Sequence, residues 1–218
     1  MELERIDTKR AYDLIRERIT TLQLAPGAVI DEQELAASLD MGLVPVREAL
    51  KLLVHDGLVL VTPRHGILVS DLNIPDLDQL SEMRLALEGL SARLAAQRAT
   101  ADEVVILEAL RREQAQTPAD DSHRQFAIDH KFHEAIARAS HNKYLAESLE
   151  RLFGLSQRLW YLALPHLGFL PTAVEKHVDL VEAIQARDAE RAEAIMREHV
   201  AAFYADVRQI LAKEEPSD

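Results

Sequence analysis

The chain has 218 residues, of which 48% are hydrophobic and 5% are aromatic, so it can form one large domain or two modest ones with packed cores. It contains no cysteine, which excludes disulfides, thiolate zinc sites and cysteine nucleophiles and suits a reducing cytoplasm. A net charge of −12 argues against nonspecific binding of polyanions, although a small basic face can still read DNA. No apolar run approaches the roughly 18 residues of a membrane span, so we expect no membrane partner.

The first part of the chain predicts two short helices. Apolar residues at helical spacing over 11–22 predict the first helix, with Asp7 as its cap and Pro26-Gly27 as its end. Asp31 then begins a capping-box-like sequence, which predicts a second short helix through Leu39.

A third helix and a hairpin follow. Pro45 fits the first turn of this helix, and Gly57 ends it. The β-prone runs 58–62 and 67–70 are joined by a turn over 63–66, which predicts a hairpin. Three helices and a hairpin in this order are typical of a winged helix-turn-helix, to which we assign residues 1–71.

The rest of the chain predicts helices only. After a brief linker over 71–75, helical stripes cover 76–98, 101–115, 120–139, 143–163, 172–187 and 189–213, with Pro118, Pro165, Gly168 and Pro171 between them. Six helices of this length predict an antiparallel bundle over 76–213. The fold class is therefore mostly α, with an N-terminal winged helix-turn-helix and a C-terminal antiparallel six-helix bundle.

Basic side chains lie where the N-terminal segment would meet DNA. Arg47 and Lys51 are four residues apart on the third helix and project together, away from its apolar side. A helix with such a face can enter the major groove, where arginine reads guanine. The hairpin tip and the first helix offer further contacts, namely Arg64, His65, Gly66, Lys9 and Arg10.

These charges could equally form an ordinary solvated surface. Residues 1–70 contain eight Lys and Arg against eleven Asp and Glu, whereas DNA readers usually carry a basic footprint. We therefore expect modest affinity per chain, and a homodimer on a palindromic operator, because two copies double the contacts to phosphate.

Polar residues lie on the apolar stripes of the predicted bundle. At 100° per residue, Asp129 and His133 fall inside the apolar sector of their helix, and His177 and His199 fall inside the stripes of two others. Three inward imidazoles and one inward carboxylate fit a divalent cation such as Zn²⁺ or Ni²⁺. Hydrogen-bonded core histidines or an Asp129–His133 ion pair are the alternatives. The other histidines have a surface or loop pattern: His55, His123, His130, His141 and His166.

The N-terminal segment resembles the winged helix-turn-helix of GntR-family bacterial transcription regulators. The matching motifs are LAPG at 24–27, ELA at 34–36, PVREAL at 45–50, GL at 57–58 and HG at 65–66. The family usually has Ser-Arg-Thr before the proline, and this chain has Gly42-Leu43-Val44 instead. The resemblance implies that the usual Arg contacts DNA and that the usual Thr caps the helix, and Leu43 and Val44 suit neither role.

The C-terminal segment resembles the FCD effector-binding domain of FadR-type GntR regulators in its six-helix version. The similar stretches, which lie within 84–200, are RLALEGLSARLAA, DHKFHEAIARASHNKYL and HVDLVEAIQARDAERAEAIMREHV. In metal-binding members the ligands are an Asp and a His four residues apart and two later histidines. The resemblance therefore implies the ligand set Asp129, His133, His177 and His199.

A small carboxylate effector, such as a hydroxy or keto acid, could fill the open coordination positions of the cation. Arg84, at the edge of its helix's stripe, could pair with the effector, or with Glu88 one turn on. Arg158 is a second candidate, and Asn142 either lines the pocket or caps its helix.

These observations favour a transcription regulator, of the repressor type, whose operator affinity a small organic acid controls at a metal site. Two alternatives remain open from sequence. One is a metal-dependent hydrolytic enzyme, since an Asp/His₃ cation can activate water, although no separate general base is visible and the DNA-binding head would be unexplained. The other is a regulator that senses its ligand without a metal.

Overall fold

The computed structural model describes residues 2–72, 74–167 and 171–214. Within these ranges it contains nine helices and one two-stranded sheet, and the predicted fold class is confirmed. The chain divides into two compact units. The first comprises residues 1–73 with 154–162, and the second comprises 74–153 with 163–218.

The N-terminal unit is a winged helix-turn-helix. Its elements are α1 (Glu2–Thr20), α2 (Glu32–Ser38), α3 (Leu43–His55), β1 (Val59–Thr62) and β2 (Gly66–Val69). The α3 helix packs against α1 and α2, and β1 pairs antiparallel with β2 in the register Val59 to Val69. The core of this unit is aliphatic and includes Ile15, Ile19, Leu50, Leu53 and Leu58.

The ends of these elements follow local chemistry. The carboxylate of Asp31 accepts hydrogen bonds from the N–H groups of Gln33 and Glu34, so Asp31 is the N-cap of α2, as predicted. Gly57 has a φ of +79°, a conformation that glycine adopts without strain, and it follows the end of α3. The prediction that Asp7 caps α1 is wrong, because α1 begins at Glu2. The Glu and Leu residues between Glu2 and Asp7 are strong helix formers, so the helix extends to the N-terminal side of Asp7.

The C-terminal unit is built from helices. They are α4 (Ile74–Arg98), α5 (Ala101–Gln116), α6 (Ser122–Ala139), α7 (Lys143–Leu167), α8 (Pro171–Gln185) and α9 (Ala189–Glu214), with 154–162 of α7 belonging to the N-terminal unit. The α4 helix packs on α9 over its length, and α5 packs on α6 and α8. The side chains that fill the core include Leu107, Phe132, Ile136, Leu180 and Ile184.

One predicted helix boundary differs from the structure. Pro165 lies inside α7, which continues to Leu167, so the prediction that it falls between helices is wrong. Proline costs about 3 kcal/mol in a helix interior, but Pro165 lies in the last turn of α7, where only two residues follow it. Gly168 lies outside the described residues.

Among the helices that the structure describes, none combines the length and the hydropathy needed to cross a bilayer.

Candidate metal centre and DNA-binding face

Four side chains from three helices of the C-terminal unit meet. Asp129 and His133 lie one turn apart on α6, His177 lies on α8 and His199 lies on α9. Each offers one ligand atom, and these four atoms all lie within 4.8 Å of one another. The three rings are buried, and the side chain of Asp129 is 14% exposed. We call these four residues the His₃Asp cluster.

The carboxylate of Asp129 faces all three rings. Its Oδ1 lies 3.3 Å from Nε2 of His177 and 3.9 Å from Nε2 of His199, and its Oδ2 lies 3.8 Å from Nε2 of His133. The Nε2 atoms of His133 and His199 are 3.1 Å apart. The same nitrogen of each ring is therefore turned towards one small volume beside the carboxylate.

The opposite nitrogen of His133 contacts a buried ion pair. Its Nδ1 lies 2.5 Å from Oε2 of Glu88, whose Oε1 accepts hydrogen bonds from Nε of Arg84 at 3.0 Å and from Nη2. The guanidinium of Arg84 also lies over the rings of Phe153 and Tyr204, at 5.1 and 5.8 Å from their centroids. One carboxylate thus joins Arg84 to a ring of the cluster.

The opposite nitrogen of His177 contacts a buried amide. Its Nδ1 lies 2.6 Å from Oε1 of Gln114, a residue of α5 that is 1% exposed. The ring stacks on Phe132, with centroids 4.1 Å apart and planes inclined by 24°. Two of the three histidines therefore have an acceptor behind them, which favours a proton on Nδ1 and leaves Nε2 with a free lone pair.

Burial shapes the protonation of the cluster. It lowers the pKa of His177 well below its ordinary value and, together with the charge of His133, lowers the pKa of His199 to about 3. Burial also raises the pKa of Asp129. It opposes the charged form of His133 too, but the carboxylates of Glu88 and Asp129 outweigh that effect and raise the pKa of His133.

The donor set of the His₃Asp cluster fits a divalent cation. Neutral imidazole nitrogens and a carboxylate oxygen are common ligands of first-row divalent metals. The Nε2 atom of His177 is buried and has no hydrogen-bond partner among the described residues, although an unsatisfied buried polar atom is costly. A cation at the convergence of the ligand atoms would satisfy this nitrogen and would balance the buried charge of Asp129.

A cavity of about 240 Å³ adjoins the cluster. It is bordered by Glu88 and His133, has an apolar wall that includes Leu149 and Phe153, and carries further polar side chains from α6 and α7. His130 is one of these, and its ring stacks on Phe153 with centroids 3.8 Å apart. A small molecule in this cavity would touch the Glu88–His133 contact directly.

The predicted DNA-reading side chains are exposed on α3. The side chain of Arg47 is 50% exposed, and its Nε lies 2.9 Å from Oε2 of Glu32 on α2. The side chain of Lys51 is 71% exposed, and its Nζ lies 2.7 Å from Oε1 of Glu48. Each base-reading candidate therefore has an acidic neighbour whose place a base edge would have to take.

The other DNA-contact candidates are exposed as well. Arg64, His65 and Gly66 form the tip of the β1–β2 hairpin, where Gly66 has a φ of +75° and the N–H of His65 donates to Oγ1 of Thr62 at 3.2 Å. On α1, Arg10 is exposed, and Lys9 pairs with Asp13 at 3.3 Å.

Comparison with known families accounts for both units. Residues 7–69 match the family described as bacterial regulatory proteins, gntR family, and residues 79–202 match the FCD domain. The chain belongs to the GntR family. Its relatives in that family are transcription regulators, so this GntR-family protein is a DNA-binding transcription regulator and not an enzyme.

Individual relatives span nearly the whole chain. An HTH-type transcriptional regulator in an unstable DNA locus of Streptomyces ambofaciens is 32% identical over 95% of this chain and 88% of its own length. The HTH-type transcriptional repressor RspR of Escherichia coli is 26% identical over 96% of this chain and 92% of its own length. The solved structure of E. coli McbR/YncC shares the fold, with a TM-score of 0.82 and 24% identity over 94% of this chain and 98% of its own.

The three effector-contact candidates have different surroundings in this GntR-family chain. Arg84 lies beside the cluster but pairs with Glu88, the alternative weighed from sequence. Asn142 accepts a hydrogen bond from the N–H of Leu145 at 3.3 Å through Oδ1, which is the capping role at the start of α7. Arg158 belongs to the N-terminal unit, where its Nη1 donates to the carbonyl of Ser70 at 2.7 Å.

The departure from the GntR motif before Pro45 has a structural consequence. The N-cap of α3 is Gly42, which makes no side-chain cap hydrogen bond. The capping position is therefore the one where the family usually has Ser, and not the one where it usually has Thr. Position 44, where the resemblance implies that the family's usual Thr caps the helix, is not the N-cap in this chain, because α3 begins at Leu43. Val44 is instead the second residue of α3 and is 63% exposed.

Two residues beside the cluster were missed from sequence in the roles they have here. The sequence pattern indicates Glu88 only as a partner of Arg84, and it indicates no role for Gln114. Both lie on stripes that a helical projection reveals, since Glu88 follows Arg84 by one turn and Gln114 follows the buried Leu107 by two. The signal that could have identified them is the one that identified the histidines, a polar residue at a buried position.

Proposed function

We propose that this regulator is a repressor whose operator affinity is controlled by a small carboxylate acid, bound at a divalent cation in the C-terminal unit. The cation, Zn²⁺, Ni²⁺ or a similar ion, would be held by Asp129, His133, His177 and His199. The observation that carries this proposal is the convergence of their ligand atoms within 4.8 Å, with two of the rings backed by acceptors. The E. coli relative RspR, which is named a repressor, supports the direction of control.

We assign operator binding to the N-terminal unit. We assign base reading in the major groove to Arg47 and Lys51, and contacts to the minor groove or phosphates to Arg64, His65, Gly66 and Arg10. The acidic neighbours of Arg47 and Lys51 limit what one copy contributes, so we propose a homodimer on two half-sites. Reading an operator requires the protein to share the compartment of the chromosome, which in a bacterium is the cytoplasm.

We assign effector binding to the side of the His₃Asp cluster that faces the cavity. A bound cation supplies open coordination positions for a carboxylate of a hydroxy or keto acid. Arg84 is the nearby cation that can pair with a second carboxylate, but its guanidinium is already bonded to Glu88. An incoming anion therefore has to share Arg84 with Glu88 or displace it, which would also change the contact between Glu88 and His133.

Switching requires the acid to bind two states of the protein unequally. An effector with equal affinity for the DNA-binding and the non-binding state shifts nothing, however tightly it binds. Repacking of the Arg84–Glu88–His133 contacts is the local change that we propose the acid drives, since these side chains come from α4 and α6 and are buried.

Metal analysis of the full-length protein tests the site. The protein is purified without chelator, and its metal content is compared with that of Asp129→Ala and His199→Ala. The matched control is His141→Ala, which removes an exposed imidazole. We expect about one metal per chain in the wild type and control and a strong loss in both cluster variants. Unchanged metal content in both cluster variants would remove the proposed site.

Gel-shift titration tests the switch. An operator is first selected from a pool of random duplexes with the wild-type protein, and its affinity is then measured with and without added hydroxy and keto acids. We expect an active acid to change operator affinity in the wild type and not in the Asp129→Ala variant. If acids that bind the protein leave its operator affinity unchanged, the repressor keeps its DNA target but loses the control proposed here.

A further inference from the structure

The orientation of the His177 ring depends on residues outside the His₃Asp cluster. A neutral imidazole binds a cation through Nε2 only when its proton is on Nδ1, and the partner of Nδ1 decides this. In the described residues, Nε2 of His177 makes no hydrogen bond, and a proton there would have only Oδ1 of Asp129, 3.3 Å away and poorly placed, as an acceptor. The Oε1 of Gln114, at 2.6 Å from Nδ1, provides the acceptor that the other tautomer needs.

Gln114 is in turn held by a second buried glutamine. The Nε2 of Gln125, on α6, donates to the carbonyl of Gln114 at 3.1 Å and to the carbonyl of Thr117 at 2.8 Å. These carbonyls are at the C-terminal end of α5, where the carbonyl of Gln114 also accepts from the N–H of Thr117 at 3.1 Å. Gln125 therefore fastens the backbone from which the Gln114 side chain extends, and it is itself only 3% exposed.

An ordinary structural role explains these glutamines poorly. Gln114 lies on the stripe of Leu107, where leucine would bury well, and its Nε2 is buried without a hydrogen-bond partner among the described residues. The Oε1 of Gln125 is in the same condition. Two buried amides that each leave one atom unsatisfied are costly in a helical core, which favours a functional reason for keeping them.

We propose that Gln114 and Gln125 are positioning residues for the metal centre: Gln114 fixes the ring orientation and tautomer of His177, and Gln125 fixes Gln114. This inference rests on the metal site proposed above. It predicts that cation affinity depends on side chains that never touch the cation, because outer hydrogen-bond partners typically contribute about 10- to 100-fold to affinity.

The experiment is a titration of the metal-free, full-length protein with Zn²⁺ against a competing chromophoric chelator. We expect Gln114→Leu to weaken Zn²⁺ binding by about 10- to 100-fold. Gln114→Glu keeps an acceptor for Nδ1–H and should restore affinity to within a few-fold of the wild type, whereas Gln125→Leu should lie between the two. Ser140→Ala, which removes a buried hydroxyl elsewhere in the C-terminal unit, is the control and should bind as the wild type does.

A second measurement separates positioning from a loss of structure. The imidazole ¹⁵N shifts of the metal-free protein should report His177 with its proton on Nδ1 in the wild type and in Gln114→Glu, but not in Gln114→Leu. Failure of the wild type to bind Zn²⁺ would refute the proposed metal centre. Tight binding by the wild type with equal affinity and an unchanged His177 tautomer in Gln114→Leu would overturn the positioning role alone.

Discussion

Glu88 is the residue on which the buried electrostatics of the C-terminal unit depend. It gives one oxygen to Arg84 and the other to His133, and all three side chains are at most 5% exposed. Burial opposes the charge of Glu88, but His133 and Arg84 outweigh it and lower the pKa of Glu88. The carboxylate is charged because its two neighbours outweigh burial, so removing one of them leaves a buried charge partly uncompensated.

We expect Arg84→Met to lower the free energy of unfolding of the metal-free protein by about 3 kcal/mol or more, the usual cost of breaking a buried pair from one side. The measurement is urea denaturation followed by far-ultraviolet circular dichroism. Lys9→Met is the matched control, since Lys9 and Asp13 have the same spacing on a helix but are exposed, and it should change stability little. Equal effects of the two substitutions would contradict the weight given to the buried pair.

Arg47 offers a prediction about sequence reading. If its guanidinium contacts a guanine edge, Arg47→Ala should weaken binding to the selected operator by about 1–3 kcal/mol and relax the preference at one base pair of each half-site. Gel shifts with single-base operator variants measure this. Arg112→Ala removes an exposed arginine from α5 in the C-terminal unit and should leave operator binding unchanged. A uniform loss across all operator variants would instead indicate a phosphate contact.

Sequence alone could identify the inward position of the ligand residues but not their partners. Asp129, His133, His177 and His199 lie on apolar stripes, and a stripe is visible from the helical period. The contacts of Glu88 with His133 and of Gln114 with His177 join residues 45 and 63 positions apart. Such contacts depend on how four helices pack, and spacing within one helix does not specify it.

The start of α3 is an element at which this chain departs from the usual GntR motif. Gly42 has the extended conformation of an N-cap, with φ of −68° and ψ of 152°, but no side chain to accept a hydrogen bond. The first N–H groups of a helix lack partners within it, so a cap that cannot accept leaves them to solvent. The N-terminal end of α3 is therefore less stable than that of a helix capped by serine.

We expect Gly42→Ser to raise the free energy of unfolding by a few tenths of a kcal/mol and up to about 1 kcal/mol, since serine adds an acceptor and lowers the entropy of the unfolded chain. A Cβ at this position would meet only Cδ and Cγ of Pro45, at 3.5 and 4.0 Å, which are ordinary contacts. Gly42→Ala has the same Cβ and the same entropic gain without the hydroxyl, and should therefore stabilise less than Gly42→Ser. Thermal unfolding of both variants measures the difference, and equal effects would show that the cap is irrelevant.

Element boundaries were predictable where a local signal dominates. Asp31 caps α2 and Gly57 follows the end of α3 because one side chain or one backbone conformation decides each boundary. The prediction that Pro165 falls between helices was wrong, because a proline can also lie in the last turn of a helix. No single local signal decides between these two positions.

At the scale of the whole molecule, charge and metal act on different units. The net charge of −12 is unfavourable for approach to DNA, so operator binding has to rely on the few exposed cations of the N-terminal unit. The proposed cation would lie among buried groups of the C-terminal unit, where it would neutralise Asp129. Its first measurable effect should therefore be on folding stability rather than on contact with DNA.

Metal binding should stabilise the folded chain by mass action. A ligand that binds only the folded state at 100 times its Kd adds about 2.7 kcal/mol to the free energy of unfolding. For a chain of this size, that corresponds to a rise in Tm of roughly 5–10 °C. Thermal scans of chelator-stripped protein with and without Zn²⁺ measure this shift.

The variants decide whether that shift comes from the His₃Asp cluster. Asp129→Ala removes the only carboxylate of the cluster and should abolish most of the rise in Tm, while His141→Ala, which lacks an exposed imidazole instead, should retain it. Without metal, Asp129→Ala should be no less stable than the wild type, because burial disfavours the carboxylate and raises its pKa. An equal Zn²⁺-induced rise in Asp129→Ala and the wild type would mean that the cation binds elsewhere, and the buried nitrogen of His177 would then need a different explanation.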